Sequence, residues 1–212
     1  MNKFLLILLI IPTFAQAKFV ISGGPELSGN IDDSSLKSST LPGLHAESEY
    51  GRADYPNVTV FGRFIYNQGP ARSQYKYTDP DDMNNTEVDD VKTKVSLTRL
   101  LAGLRYKVMK HERFSYFAGG GLQFGVLNMN LERSSFYQRA LPTDDFEQNE
   151  YQNFWGYFGE LGGEVRFDGD FALRLAAQMS KASTEKFKIL DNKEVDFSLA
   201  TIALSYVWYI KD

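Results

Sequence analysis

The sequence contains no cysteine, so no disulfide can stabilise the fold, which must depend on backbone pairing and burial. Beyond the first residues it has no apolar run near the ~20 residues that a transmembrane helix needs. The net charge is −4 and no basic patch stands out, which argues against nucleic acid as a partner. Aromatic residues, by contrast, make up 14% of the chain, a share that suits strands and membrane interfaces.

The first 17 residues have the organisation of a cleaved secretory signal peptide. Lys3 supplies the positive charge, residues 4–11 are apolar, and Ala15, Gln16 and Ala17 form an A-x-A cleavage motif. The apolar run is too short for a membrane anchor, and Pro12 interrupts it. We therefore predict a leader over residues 1–17 and one mature domain over 18–212. That domain has 195 residues (212 − 17) and a net charge of −5 (22 basic minus 27 acidic).

Residues 114–126 alternate strictly between two kinds of side chain. The even positions are apolar and include Phe114 and Phe124, whereas the odd positions are small or polar, as at Ser115 and Gln123. This period of two indicates a β-strand. Thirteen residues exceed the about 5–6 of an ordinary strand and suit a tilted membrane strand, which needs about 9–11.

The same alternation predicts eight strands, at residues 18–28, 41–50, 56–66, 88–108, 114–133, 151–167, 171–186 and 194–210. The links at 51–54, 109–113 and 168–170 are short. Those at 29–40, 67–87 and 134–150 are long and polar, and 187–193 is intermediate. All short links fall on the side of the termini, an asymmetry typical of outer-membrane barrels. We predict an all-β, eight-stranded, antiparallel up-and-down transmembrane β-barrel.

Alternation alone leaves open which face points outward, because a soluble periplasmic lipid-binding barrel would turn its apolar face inward. The long strands, the small residues on the polar face and the position of the aromatics favour the membrane barrel. Two belts of amphipathic rings are expected at the two membrane interfaces. The predicted belt residues are Tyr66, Tyr106, Phe114, Tyr116, Phe124, Trp155, Tyr157, Phe167, Phe171, Tyr206 and Trp208.

This orientation sends charges of both signs into the lumen. Buried ions are costly unless they are paired, so the near balance of Arg and Glu predicts a salt-bridge network that plugs the barrel. The alternative is a polar ion path. The predicted network residues are Glu47, Glu49, Arg63, Arg99, Arg105, Glu160, Glu164, Arg166 and Arg174, with Lys107 nearby.

A catalytic, metal or cofactor site is not predicted. His45 lies close to Glu47 and Ser48 in sequence, but on a strand Ser48 points to the face opposite His45. His111 falls in a short turn. The acidic run around Asp79 does not follow the calcium-loop order, so we interpret it as a solvated loop.

With its signal peptide, eight strands and alternating loop lengths, the chain resembles the small outer-membrane barrels, such as the OmpA transmembrane domain, OmpX and OmpW. The resemblance implies a bacterial outer-membrane location, insertion by the outer-membrane assembly machinery, and contact with outer-membrane lipids and lipopolysaccharide. We predict an integral barrel with a plugged polar lumen and a structural or surface-interaction role, with the external loops as the candidate site for a surface ligand. A narrow OmpW-like pore for small or apolar solutes is the alternative, and a soluble periplasmic lipid-binding barrel is the second.

Overall fold

A computed structural model describes residues 17–30, 36–38, 40–52, 54–79, 82–110, 113–131, 149–167, 170–185 and 196–210. Its strands are β1 Ala17–Asn30, β2 Leu36–Ser38, β3 Leu41–Arg52, β4 Val58–Asp79, β5 Asp82–Lys110, β6 Phe114–Leu131, β7 Asn149–Arg166, β8 Phe171–Thr184 and β9 Asp196–Ile210. Each long strand pairs antiparallel with its two neighbours, and β1 pairs with both β3 and β9, which closes the sheet. The predicted eight-stranded antiparallel barrel is confirmed, with β2 as a short addition that pairs only with β4.

The stagger of the strands fixes the width of the barrel. Following the register from Ser28 through β9, β8, β7, β6, β5, β4 and β3 leads back to Lys18 of β1, a displacement of 28 − 18 = 10 residues. Eight strands tilted by about 35–45° enclose an interior just wide enough for side chains to fill. The lumen is therefore a packed core whose residues touch across it.

Side chains alternate between this core and the outside along every long strand. In β8 the interior receives Ala172, Arg174 and Ala176, whereas Leu175 and Met179 are exposed. The exposed apolar face and the polar interior reverse the arrangement of a soluble protein. Among the described residues, no helix is long and apolar enough to cross a membrane.

The prediction of a long polar loop at 67–87 is wrong. β4 and β5 continue as one hairpin up to the pair Asp79 and Asp82. The prediction relied on apolar alternation, but strand pairing outside a membrane needs none, and the β-formers Tyr75, Tyr77 and Thr78 lie in the part of this stretch that extends β4. The predicted loop at 29–40 likewise contains β2. Pro25 does not end β1, although the pairing of β1 with β9 skips residues 24 and 25.

Other predicted boundaries shift by a few residues. β7 starts at Asn149 rather than 151, β8 ends at Thr184 rather than 186, and β4 starts at Val58 rather than 56. The predicted strand ends at 132–133 and 194–195 lie outside the described residues. So does the predicted leader apart from Ala17, the first residue of β1, and cleavage stays a prediction.

Candidate functional site

The interior is layered from one end of the barrel to the other. At the short-turn end lies a small apolar cluster of Val20, Ala172 and Val207. Charged side chains fill the centre beside a second apolar cluster, which comprises Phe61, Ile65, Leu101 and Phe158. At the loop side, the interior ends in a larger apolar cluster, called here the loop-side cap, formed by Leu41, Val95, Leu97, Leu127, Met129, Phe154, Ala182, Phe197 and Leu199.

Glu47 of β3 is the hub of the charged centre. Its carboxylate accepts from Arg63 Nε at 2.7 Å and from Arg105 Nη1 and Nη2 at 3.0 and 3.1 Å. It also accepts from Arg174 Nη1. Glu47 is 4% exposed, and each arginine is 2% exposed or less. One carboxylate therefore holds guanidinium groups from β4, β5 and β8.

Three further carboxylates complete this network. Glu160 accepts from Arg105 Nε at 2.8 Å and from Arg63 Nη2 at 2.9 Å. Glu49 accepts from Arg105 at 2.6 Å and from Arg174 at 2.7 Å, and Glu164 accepts from Arg174 at 2.9 Å. Lys107 Nζ lies 3.8 Å from Glu49. The central charge network thus pairs four carboxylates with four cations: Glu47, Glu49, Glu160, Glu164, Arg63, Arg105, Lys107 and Arg174.

Aromatic rings support the arginines from the side. The Arg105 guanidinium lies 4.3 Å from the ring centroid of Phe61 and 4.5 Å from that of Phe117. Cation–π contacts in such a desolvated place add to the carboxylate pairs. Removing any one charge would leave its buried partners with fewer opposite charges than they need, which is much costlier than losing an exposed pair.

A second polar group lies nearer the loops. Arg99 Nη2 donates to Glu26 at 2.7 Å, to Ser28 at 2.9 Å and to Asn67 at 3.0 Å. Ser28 in turn bonds Thr201 at 2.9 Å. Glu26 is not among the predicted lumen charges, because it lies just after the Gly-Gly-Pro interruption, where the strand pattern is lost. Its even parity with Val20 and Ser22 was the signal that could have identified it.

His45 belongs to this second polar group. Its Nε2 lies 2.8 Å from Ser205 Oγ of β9, and its Nδ1 lies 3.8 Å from Glu26 Oε2, too far for a hydrogen bond. Ser48 is exposed on the opposite face and does not meet His45. The serine that His45 contacts is 160 residues away in sequence, so only strand register reveals it. Among the described residues, no cluster of His, Asp or Glu could hold a metal ion.

The structure places eight of the nine predicted lumen charges in the interior and seven of those eight in the central charge network, with Arg99 in the second polar group. Arg166 lies elsewhere. It is half-buried at the short-turn end, with its guanidinium 4.1 Å from the ring centroid of Tyr209. Tyr209 donates to Glu164, so Arg166 contacts the rim of the network through an aromatic ring.

All eleven predicted belt residues point outward, with exposed fractions from 43% at Tyr66 to 70% at Tyr206. Phe171 and Trp208 stack with ring centroids 5.6 Å apart at the short-turn end. On β6, Phe114 and Phe124 are ten residues apart, or about 33 Å along the strand. At a tilt of about 45° this gives a height of about 23 Å, close to the ~25 Å apolar band of outer-membrane barrels.

A closed antiparallel barrel with an apolar outside, a charged inside and short turns at the terminal end defines the class of outer-membrane β-barrels. The chain belongs to the outer membrane protein beta-barrel domain family, whose model matches residues 4–207. No match was found among proteins with curated functions.

Solved structures of small outer-membrane proteins share this fold. The outer membrane protein OprG of Pseudomonas aeruginosa is 16% identical with a TM-score of 0.59, covering 92% of this chain and 97% of its own. Neisserial surface protein A is 9% identical with a TM-score of 0.54 and covers 92% and 97%. Ail of Yersinia pestis, in complex with the heparin analogue sucrose octasulfate, is 14% identical with a TM-score of 0.51 and covers 91% and 99%.

Proposed function

We propose that this protein is a non-enzymatic barrel of the bacterial outer membrane whose lumen is closed to ions and whose role is structural or exerted at the cell surface. The observation that carries the proposal is the central charge network. Glu47 joins arginines from three other strands across the lumen. Because every guanidinium of the network is held by at least two carboxylates, a hydrated path through this level would have to break several buried ion pairs.

The contacts of His45 support a non-enzymatic role. A nucleophilic serine needs a base that a third group orients by a hydrogen bond. Ser205 and His45 are within hydrogen-bonding distance, but the 3.8 Å separation from Glu26 does not orient the ring, and Glu26 is engaged by Arg99. Both Ser205 and His45 are at least 95% buried beneath the loop-side cap.

The surface role is assigned to the hairpin of β4 and β5. The pairing of β6 with β5 ends at Thr93, and that of β2 with β4 ends at Ser73. The hairpin continues to Asp79, six residues beyond Ser73, or about 20 Å of strand. Its backbone is braced by its own ladder, so it presents a stiff element above the barrel for contact with lipopolysaccharide or a surface ligand.

Planar-bilayer recording tests the closed lumen. We expect the wild-type protein to show no steady ion-selective openings, because an ion crossing the lumen would have to break the buried ion pairs of the central charge network. The control is the same bilayer and detergent without protein. Steady openings in the wild type that Arg105→Ala abolishes would overturn the proposal and favour the narrow-pore alternative instead.

The two tryptophans of the chain provide a test of the aromatic belts. Trp155 lies on the outer face near the loops, and Trp208 lies on the outer face near the short turns. In Trp155→Phe and Trp208→Phe variants, each with one tryptophan, we expect lipids brominated near the headgroup to quench fluorescence more than lipids brominated deep in the acyl chain. Stronger quenching by deep bromines at either position would contradict its place in a belt.

A further inference from the structure

Three cations lie at the short-turn mouth of the lumen. Lys18 is the second residue of β1, Lys107 lies near the end of β5, and Arg166 is the last residue of β7. Each shares its parity with interior residues of its strand, as Lys107 does with Arg105. Lys18 is exposed, Arg166 is half-buried and the Lys107 side chain is 14% exposed, so solvent reaches all three at this end.

The ammonium group of Lys107 is the least engaged cation of the central charge network. Its Nζ lies 3.8 Å from Glu49, within ion-pair range but beyond hydrogen-bonding distance, and it makes no other polar contact within the described part of the chain. The guanidinium groups of the network, by contrast, each hold two carboxylates at 2.9 Å or less. The three N–H donors of Lys107 are therefore available to an acceptor at the mouth.

Arg166 is held in place by an aromatic ring rather than by a carboxylate. Its guanidinium lies 4.1 Å from the ring centroid of Tyr209, and no carboxylate of the described residues comes within 4.0 Å of it. The stacking fixes the plane of the guanidinium and leaves its charge without a paired anion.

Lys107 and Arg166 flank one pair of carboxylates. Arg174 Nη2 donates to Glu49 at 2.7 Å and to Glu164 at 2.9 Å, so these two carboxylates lie side by side. Lys107 is next to Glu49, and Arg166 stacks on the tyrosine that donates to Glu164. The two cations are therefore neighbours at the mouth, although they belong to β5 and β7.

The short-turn end carries an excess of positive charge outside the central charge network. The network itself balances four carboxylates with four cations, and Arg52 and Asp54 form an exposed pair at 2.7 Å. The other charged side chains described at this end are three basic and one acidic: Lys18, Arg113, Arg166 and Asp170. Two positive charges thus remain without a counter-charge among the described residues.

This excess defines the class of ligand. Two uncompensated cations favour an anion with two charges, and a phosphate monoester carries about −1.5 to −2 near pH 7. A hydroxyl adds a neutral donor, because Thr59 Oγ1 is buried and has no hydrogen-bonding partner among the described residues. Thr59 lies beside Lys107, whose backbone N–H donates to the carbonyl of Asn57 on the same strand as Thr59.

We propose that Lys18, Lys107 and Arg166 form an anion site at this mouth, which binds a phosphate group carrying two negative charges. Thr59 supplies a further hydrogen-bond donor. Short turns of outer-membrane barrels face the periplasm, and the interior positions of the three cations turn them away from the lipid. The site is therefore assigned to a soluble phosphate rather than to a phospholipid headgroup. It goes beyond the proposed closed lumen, because a ligand on the short-turn side of the network needs no path through it.

An NMR titration with inorganic phosphate tests the site. The ¹⁵N-labelled protein is refolded from urea into phosphatidylcholine nanodiscs and titrated at constant ionic strength and about pH 8, where phosphate is a dianion. We expect saturating shifts at the amides of Lys107 and Arg166, with a Kd on the order of 1 mM or lower. Arg166→Gln should weaken binding at least about ten-fold, because a charge-assisted contact is lost. Lys181→Gln is the matched control, since Lys181 is exposed on the outer face of β8.

The outcomes separate the site from general charge effects. Weaker binding in Arg166→Gln, or in Lys18→Gln if the first variant does not fold, with unchanged binding in Lys181→Gln, supports the site. Equal affinity in the wild type and the mouth variant, or equal affinity for phosphate and the monoanion acetate, would overturn it. Unchanged affinity in nanodiscs that contain phosphatidylglycerol supports a soluble ligand, whereas lost binding there would overturn that assignment and identify headgroups as the occupant. None of these results alters the conductance test of the closed lumen, so the two proposals fail separately.

Discussion

Replacing Glu47 with glutamine is expected to lower the free energy of unfolding by about 3–5 kcal/mol, the range measured when one partner of a buried ion pair is removed. The reason is geometric. Glu47 is the carboxylate that contacts Arg63, Arg105 and Arg174 together, and its loss leaves three guanidinium groups facing only Glu49, Glu160 and Glu164. Glutamine keeps the shape of the side chain, so the loss reports charge rather than volume.

The measurement is urea-induced unfolding in lipid vesicles, followed by the shift in gel mobility between folded and unfolded protein. Ser48→Ala is the matched control, because Ser48 is the next residue on the same strand but lies exposed on the outer face. We expect the control to change stability by less than about 0.5 kcal/mol. A midpoint for Glu47→Gln within error of the control would show that the network holds its arginines without this carboxylate.

A double variant separates the network from simple loss of a charge. In Glu47→Gln combined with Arg63→Gln, the number of buried cations falls with the number of anions, which relieves part of the imbalance. The two losses should therefore be less than additive, with a coupling of about 0.5–3 kcal/mol. Additive losses would mean that the 2.7 Å contact between Arg63 and Glu47 contributes nothing of its own.

The alternation of side chains explains why most of the fold was predictable from sequence. A period of two places Glu160 and Glu164 on one face of β7 and Trp155 and Tyr157 on the other, and no tertiary information is needed for this. The register between strands decides which charges meet. Alternation along one strand gives the face on which a residue lies but does not give the register. The pairing of Glu47 with Arg174, 127 residues apart, could not be inferred for that reason.

Two features that were not predicted from the sequence have a common physical origin. The β4–β5 hairpin beyond the barrel and the interior position of Glu26 both fall where apolar alternation is lost, in a polar stretch and after Gly23-Gly24-Pro25 respectively. Backbone hydrogen bonding continues in both places although the side-chain signal does not. Strand ends predicted from hydrophobic patterning therefore fall too early wherever neither face of the strand contacts lipid.

Gly24 lies at the seam that closes the barrel, where the backbone of β9 lies directly beside it. A Cβ added at Gly24 would overlap the Leu204 carbonyl oxygen and would stand 3.3 Å from the Cα of Ser205. Both obstacles are backbone atoms, so no side-chain rotation can relieve the overlap. The ladder between β1 and β9 already skips residues 24 and 25 at this point. Gly24 also pairs with His45, so displacing it would strain the contact between His45 and Ser205.

Gly24→Ala is accordingly expected to lower the free energy of unfolding by about 1–3 kcal/mol, the usual cost of forcing an extra carbon into a packed site. Gly29→Ala is the matched control on the same strand, because a Cβ there would meet no atom within 4 Å. The control should be neutral or slightly stabilising, since alanine restricts the unfolded chain more than glycine does. Equal stability of the two variants in urea titrations would show that β1 and β9 can separate at Gly24 without cost. In that case the seam would be a flexible part of the barrel, and closure would depend on the ladder at residues 19–23 and 26–30.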